Sequence, residues 1–182
     1  VRSDAARIPC RFGEGLNTNT ADPEYKQLRK LQSKIVNGYQ LRTYRLALSC
    51  NHQYAQAVTG LTSPTIEQVL SKMLTSLNRI NGVYEREVSV TMQFVANEDA
   101  LIWPTATGSI NGPDPFGGIN NDANACLNKN QQVCDARIGS GFYDIGHLFT
   151  TGAGGLSELA CVCNAANKAM SVTGFTTVVG DA

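Results

Sequence analysis

Two histidines stand in 182 residues, and neither lies in an H-E-x-x-H. That arrangement sets two imidazoles one helical turn apart on a metal and adds a glutamate to activate the bound water. The chain also has no C-x-x-C, no G-x-x-x-x-G-K-[ST] and no G-x-S-x-G, which excludes the common zinc finger, the phosphate loop and the nucleophile elbow. Acidic and basic side chains number 15 each, so no field of one sign exists for nucleic acid or an anionic membrane. No apolar run approaches the ~18 residues of a membrane span. The opening VRSDAARIPC lacks the apolar core of a signal peptide and has no initiating Met, so it reads as a processed or excised piece.

What is present points to one cored domain. Apolar residues make up 42% and charged ones 16%, and a chain of this length buries roughly two-thirds of its unfolded surface. Six cysteines among many Asn, Thr and Gly fit a disulfide-permissive compartment, so the expected location is secreted or periplasmic. Six cysteines allow about 15 pairings. Cys126 and Cys134 bracket the polar stretch LNKNQQV, where a local bridge would staple an exposed loop. Cys161 and Cys163, two apart on an expected strand, would face one way and each need a different partner.

Along the chain, residues 1–22 read as irregular and EYKQLRKLQSKI as a short helix, together a lash over the domain surface. LRTYRLALSC (41–50) alternates as a strand that grows more buried toward its end. Ser63 and Pro64 supply an N-cap and a first helical residue, and Ile66, Val69, Leu70, Met73, Leu74, Leu77, Ile80 and Tyr84 form one stripe, predicting a helix over about 64–86. VSVTMQFVA (88–96) is the next strand, expected to run parallel to 41–50 after the helical crossover. Residues 97–136, dense in Asn, Gly, Asp and Pro, read as a long surface lobe. FYDIGHLFTT (142–151) and LSELACVC (156–163) are two further strands, and the sum is a mixed α/β sandwich.

No catalytic set is complete. His147 reads as a strand histidine bonded within the sheet, and His52, in CNHQY, as solvent-facing. The C-x-C has no third soft ligand nearby, and Gly152, Gly154 and Gly155 precede no helix that could cradle a phosphate. Ser140 lies before a strand and not at a strand-to-helix elbow. What remains is the half-polar last strand, whose unpaired backbone groups suit an extended peptide.

LRTYRLALS, NRINGVYERE, VSVTMQFVANED, GSGFYDIGHLFTTGAGGL and SVTGFTTVVGDA are similar, in order and spacing, to the N-terminal part of bacterial reprolysin-like zinc metalloendopeptidases of the metzincin group, over roughly 41–96 and 137–182. The resemblance implies a zincin-like, three-layer α/β fold with a twisted mixed sheet. Residues 1–40 would be an N-terminal extension packed on the domain, and 41–182 the upper subdomain of the catalytic domain, with a disulfide-stapled insertion at 97–136. YDIGHLF would be a central strand. The segment after the glycines would be the edge strand on the upper rim of the cleft, binding substrate antiparallel through Gly154, Gly155, Leu156, Ser157, Glu158 and Leu159.

In that family the H-E-x-x-H-x-x-G-x-x-H helix and a Met-turn follow a stretch like VTGFTTVVGDA, and this sequence ends at Ala182, before them. The resemblance therefore implies zinc in the parent enzyme but no zinc ligand and no catalytic residue in this chain, which alone is expected to be inactive. His147 would be structural. Met170 stands where a basic residue is usual, Cys161 is additional, and Cys163 falls where a family cysteine is usual. The implied function is the substrate-binding part of a secreted zinc endopeptidase with a protein or peptide substrate, the active-site helix being carried by a second polypeptide or lost by cleavage. The alternative is a non-catalytic extracellular peptide- or protein-binding module of the same fold.

Overall fold

A computed structural model describes residues 40–152 and 154–176. The expected lash and short helix before residue 40 lie outside the described residues. β1 (Arg42–Cys50) starts exposed and ends fully buried, as its alternation predicts. Its odd and even side chains go to opposite faces of the sheet. Leu46, Leu48 and Cys50 join one apolar cluster and Ala47 another, which makes β1 the floor of both layers.

One face is covered by α1 (His52–Thr59) and α2 (Ile66–Val88). In α2 the stripe buries Val69, Met73 and Leu77, while Leu74 and Tyr84 are about half exposed. The helix starts at Thr65 and not at Ser63. Thr65 Oγ1 accepts from the Gln68 N–H at 3.3 Å and Gln68 Oε1 accepts from the Thr65 N–H at 2.8 Å, a reciprocal box that fixes the first turn and leaves Pro64 outside it. Ser89, in a left-handed conformation, ends the helix, so β2 is only Val90–Phe94, and Val88 belongs to α2.

The other face is covered by α3 (Ala123–Arg137), which falls inside the stretch expected to be an irregular lobe. Its buried side is Cys126, Leu127, Asn130, Gln131 and Cys134, a helical stripe written in residues that periodicity of apolar side chains does not pick out. The disulfide expected between Cys126 and Cys134 is absent: both are free buried thiols. Eight residues on one helix are about 12 Å apart along its axis, beyond the ~7 Å that a bridge spans. The insertion is held instead by Trp103 and Phe116, fully buried and meeting edge to face at 5.5 Å.

β3 (Ile145–Thr150), β4 (Gly155–Ser157) and β5 (Ser171–Gly174) complete a five-stranded sheet of order β2-β1-β3-β5-β4. β2, β3 and β5 run parallel to their inner neighbours, as expected for β2, and β4 runs antiparallel to β5. The result is a mixed sheet between two helical layers. The predicted strand 156–163 shrinks to three residues, because the chain turns at 159–160 with Ala160 at φ 54. Cys161 therefore lies between two turns and Cys163 within the second. Cys161 is a free thiol, and Cys163 is the one described cysteine that is not.

Candidate functional site

The chain leaves β3, crosses past the end of β5 and comes back as the outermost strand. The crossing is tight enough to explain its glycines. A Cβ on Gly174 would lie 2.3 Å from Thr150 Oγ1 and 2.9 Å from the Gly152 backbone, and one on Gly152 would lie 2.0 Å from Asn121 Oδ1. Gly154 takes φ 69, a conformation that side chains disfavour.

β4 then pairs Gly155 with Thr173, Leu156 with Val172 and Ser157 with Ser171. The Gly174 N–H donates to Gly154 O at 2.6 Å and the Glu158 N–H donates to Met170 O at 2.9 Å. Residues 154 and 158 thus turn backbone groups inward. By the alternation of an antiparallel ladder, Gly155 and Ser157 turn their N–H and C=O groups outward, where no strand lies among the described residues. All three β4 residues are exposed. Apolar side chains flank the edge: Leu159 is 85% exposed and Phe175 66%.

The rim is moored from below by α3. Asn130 Nδ2 donates to Ala169 O at 2.8 Å, and the Ala169 N–H donates to Gln131 Oε1 at 2.7 Å, so two adjacent amide side chains hold both polar groups of one residue. Ala169 in turn sits on Gly146, where a Cβ would come within 2.3 Å of the Ala169 methyl. Lys168 is buried, donating to Tyr143 O at 2.8 Å and to Ser140 O, with its ammonium 4.1 Å from the Tyr143 ring centre. The Cys163 N–H donates to Asp144 O at 2.9 Å. Asp144 is gripped by Arg45 through Nη2 at 2.6 Å and Nε at 3.0 Å. Burial pushes that carboxyl up, but the hydrogen bonds from Arg45 outweigh it and hold it below the usual carboxylate range.

Both histidines are engaged. His147 meets Ser171 Oγ through Nδ1 at 2.6 Å and Thr173 Oγ1 through Nε2 at 3.0 Å, tying β3 to β5 as the sequence reading expects. Burial pushes its imidazole down to about 4, so it stays neutral at physiological pH. His52 departs from the solvent-facing expectation. It begins α1 with its side chain 18% exposed, its N–H donates to Asp114 Oδ2 at 2.9 Å, and its Nδ1 lies 2.6 Å from the same oxygen. Asn51 caps α1 and Gly60 ends it, a bracket visible in the sequence that could have located this helix.

The comparison with protein families decides the kinship. Residues 70–182 match the family described as metallo-peptidase family M12B, reprolysin-like. The chain belongs to the reprolysin-like metallopeptidases. The match takes in most of α2 and everything after it, including α3 and the whole β3–β4–β5 end of the sheet. No curated protein matches the chain. For this reprolysin-like chain, the expected site residues separate into two groups. Gly155, Leu156 and Ser157 form the edge strand, whereas Gly154, Glu158 and Leu159 flank it, with Leu159 in a turn. Sequence reasoning missed the mooring residues Asn130, Gln131 and Lys168, whose bonds to Ala169 and Tyr143 reach 25 or more positions along the chain.

A metallopeptidase family implies a metal, and the described residues do not fit one. Among them no three His, Cys, Asp or Glu side chains come together as a ligand set. Both ring nitrogens of His147 face hydroxyls.

Proposed function

We propose that this chain is the substrate-gripping part of a zinc endopeptidase, its β4 edge forming the upper rim of the cleft and pairing antiparallel with an extended protein or peptide substrate. The observation that carries this reading is the outward backbone of Gly155 and Ser157 on an edge that no described residue covers. A substrate segment laid against it gains main-chain hydrogen bonds from every second residue. Its alternate side chains meet the exposed flank of Leu159 and Phe175. Backbone pairing is indifferent to side-chain identity, so the edge supplies orientation and register and leaves selectivity to the flanks.

In the parent enzyme zinc would polarise the scissile carbonyl and activate water. Its ligands would come from polypeptide other than the described residues, either contiguous with this chain or separate from it. This chain's part is to hold the peptide extended and in register. A parent of this kind would act in a secreted or periplasmic setting, where the fully buried Cys50, Cys126 and Cys134 keep their thiols out of reach of oxidants.

Ser157→Pro tests the edge. The Ser157 N–H points away from β5, so proline there removes a bond to substrate and none within the sheet. Binding of an extended peptide should weaken about tenfold, the size of one net hydrogen bond at the upper end of its range, with the melting temperature unchanged. Unchanged affinity would remove the rim assignment. Tight binding without cleavage by the parent protein would favour a non-catalytic peptide-binding module.

A further inference from the structure

On the face of α3 turned away from β4, the helix and the loop after Trp103 leave a cleft of about 200 Å³. Its apolar walls are Trp103, Pro113, Pro115 and Val133, and its charged lining residues are Lys129 and Arg137. No acidic residue lines it. Asp114, between the two prolines, turns inward: Oδ2 accepts from the His52 N–H, Oδ1 accepts from the Phe116 N–H at 2.8 Å, and the side chain is 1% exposed. Arg137 uses Nη2 on Asn111 O at 2.7 Å and lies 5.7 Å over the Trp103 ring, which leaves the rest of its fork uncommitted. Lys129 has no ion pair among the described residues. The Trp103 indole N–H is buried without an acceptor among the described residues.

A pocket edged by cations and donors, with proline and valine walls, is matched by an anion that carries an apolar body. The volume sets the size. It equals that of about seven waters and lies below the ~300 Å³ at which pockets begin to enclose drug-sized molecules. We propose that this cleft binds a small organic carboxylate on a short branched or cyclic apolar body, with Lys129 and Arg137 on the carboxylate and Pro113, Pro115 and Val133 around the body. The cleft shares no residue with 154–159, so it stands or falls separately from the edge-strand reading.

Trp103 is the only tryptophan in the chain, so emission reports on this site directly. The probe is 3-methylbutanoate, titrated into the intact chain, with 3-methylbutanamide and inorganic phosphate as controls. The acid should shift Trp103 emission along a saturating curve, the neutral amide should leave it flat, and phosphate, which cannot use the apolar walls, should bind at least tenfold more weakly. Arg137→Gln should weaken the acid about tenfold, the size expected for one charge-assisted hydrogen bond. Equal binding of amide and acid, equal binding of phosphate, or an unaltered Arg137→Gln variant would each overturn the proposal. Should that variant fail to fold, proton–nitrogen correlation spectra of the native chain decide. The Trp103 indole and Arg137 Nε–H signals should move together and saturate with the acid, and immobile signals would overturn the site.

Discussion

The two edges of the sheet are treated in opposite ways. On the β2 edge the outer backbone groups of Met92 are closed by a side chain: Asn81 Nδ2 donates to Met92 O at 2.8 Å, and the Met92 N–H donates to Asn81 Oδ1 at 2.9 Å. Where β2 ends, Val95 makes the last main-chain bond to Leu46 O, and Glu98 Oε1 then accepts the next β1 donor, the Leu48 N–H, at 2.8 Å. The backbone of Trp103 picks up Cys50 O two residues on. On the β4 edge no described residue does the same for the outward groups of Gly155 and Ser157. Unpaired strand edges invite association with other chains. Among the described residues one edge is sealed with carboxamide and carboxyl surrogates and the other is bare, which agrees with the proposed pairing of a substrate strand there.

The largest effect should come from Glu98, because its surrogate role is performed by a buried acid. The side chain is 5% exposed, Oε2 has no partner, and burial pushes the carboxyl up to about 9, with the Leu48 N–H opposing and Asp99 adding to the rise. The folded state therefore holds a proton that the unfolded chain releases near the ordinary value of 4.5. Stability is fully present below that pH and is lost as pH rises through about 9. The neighbouring Cys134 thiol, pushed up to about 12 by burial in the fold, adds to the slope only as pH nears 9.0, where the unfolded chain releases that proton. Chemical denaturation between pH 7 and 8, above the range where unfolding lets His147 take up a proton and below the ordinary thiol value of 9.0, should show a fall of about 1.4 kcal/mol per pH unit. Glu98→Gln, which keeps an acceptor for Leu48, should flatten it. An unchanged slope in the variant would show that Glu98 is ionised in the fold.

Next in size is the clamp on Met92. Asn81→Ala removes both of its hydrogen bonds and turns the sealed edge into a second open one. Loss of a partner for partly buried backbone costs about 1–3 kcal/mol, and amide exchange at Met92 should quicken by a matching factor. Exchange that stays slow would mean that the strand edge is protected by something other than Asn81.

These devices also mark where the sequence stops being readable. β1, β3 and α2 are written in local periodicity, and so is the parallel return of β2, which follows from strand, helix and strand in succession. The surrogates are not local. Glu98 serves a residue 50 positions earlier, and Asn130 holds one 39 positions later. α3 escapes for the same reason, since its inward stripe carries Asn130 and Gln131, which act on the backbone of Ala169 where an apolar residue would act on the core. β5 is four residues long and is defined by the strands around it. The last strand is legible as a half-polar run in LSELACVC, and its place on a cleft rim comes from likeness to a family. Its exact extent depends on Ala160 turning the chain at positive φ, which alanine gives no sign of.

The smallest expected effect has the opposite sign and lies beside the clamp. Gly82 follows Asn81 inside α2, is exposed, has no positive φ, and has nothing within 4 Å of the place where a Cβ would stand. Alanine there removes backbone freedom from the unfolded chain without straining the helix, worth about 0.5–1 kcal/mol. Gly82→Ala should raise the midpoint of denaturation by that amount. It should also slow exchange at Met92, since the helix turn that presents Asn81 frays less. Peptide affinity at Gly155 and Ser157, on the far side of three intervening strands, should not move. A change there would mean that the two edges are coupled through the sheet, and the sealed edge would then be part of how the open one is tuned.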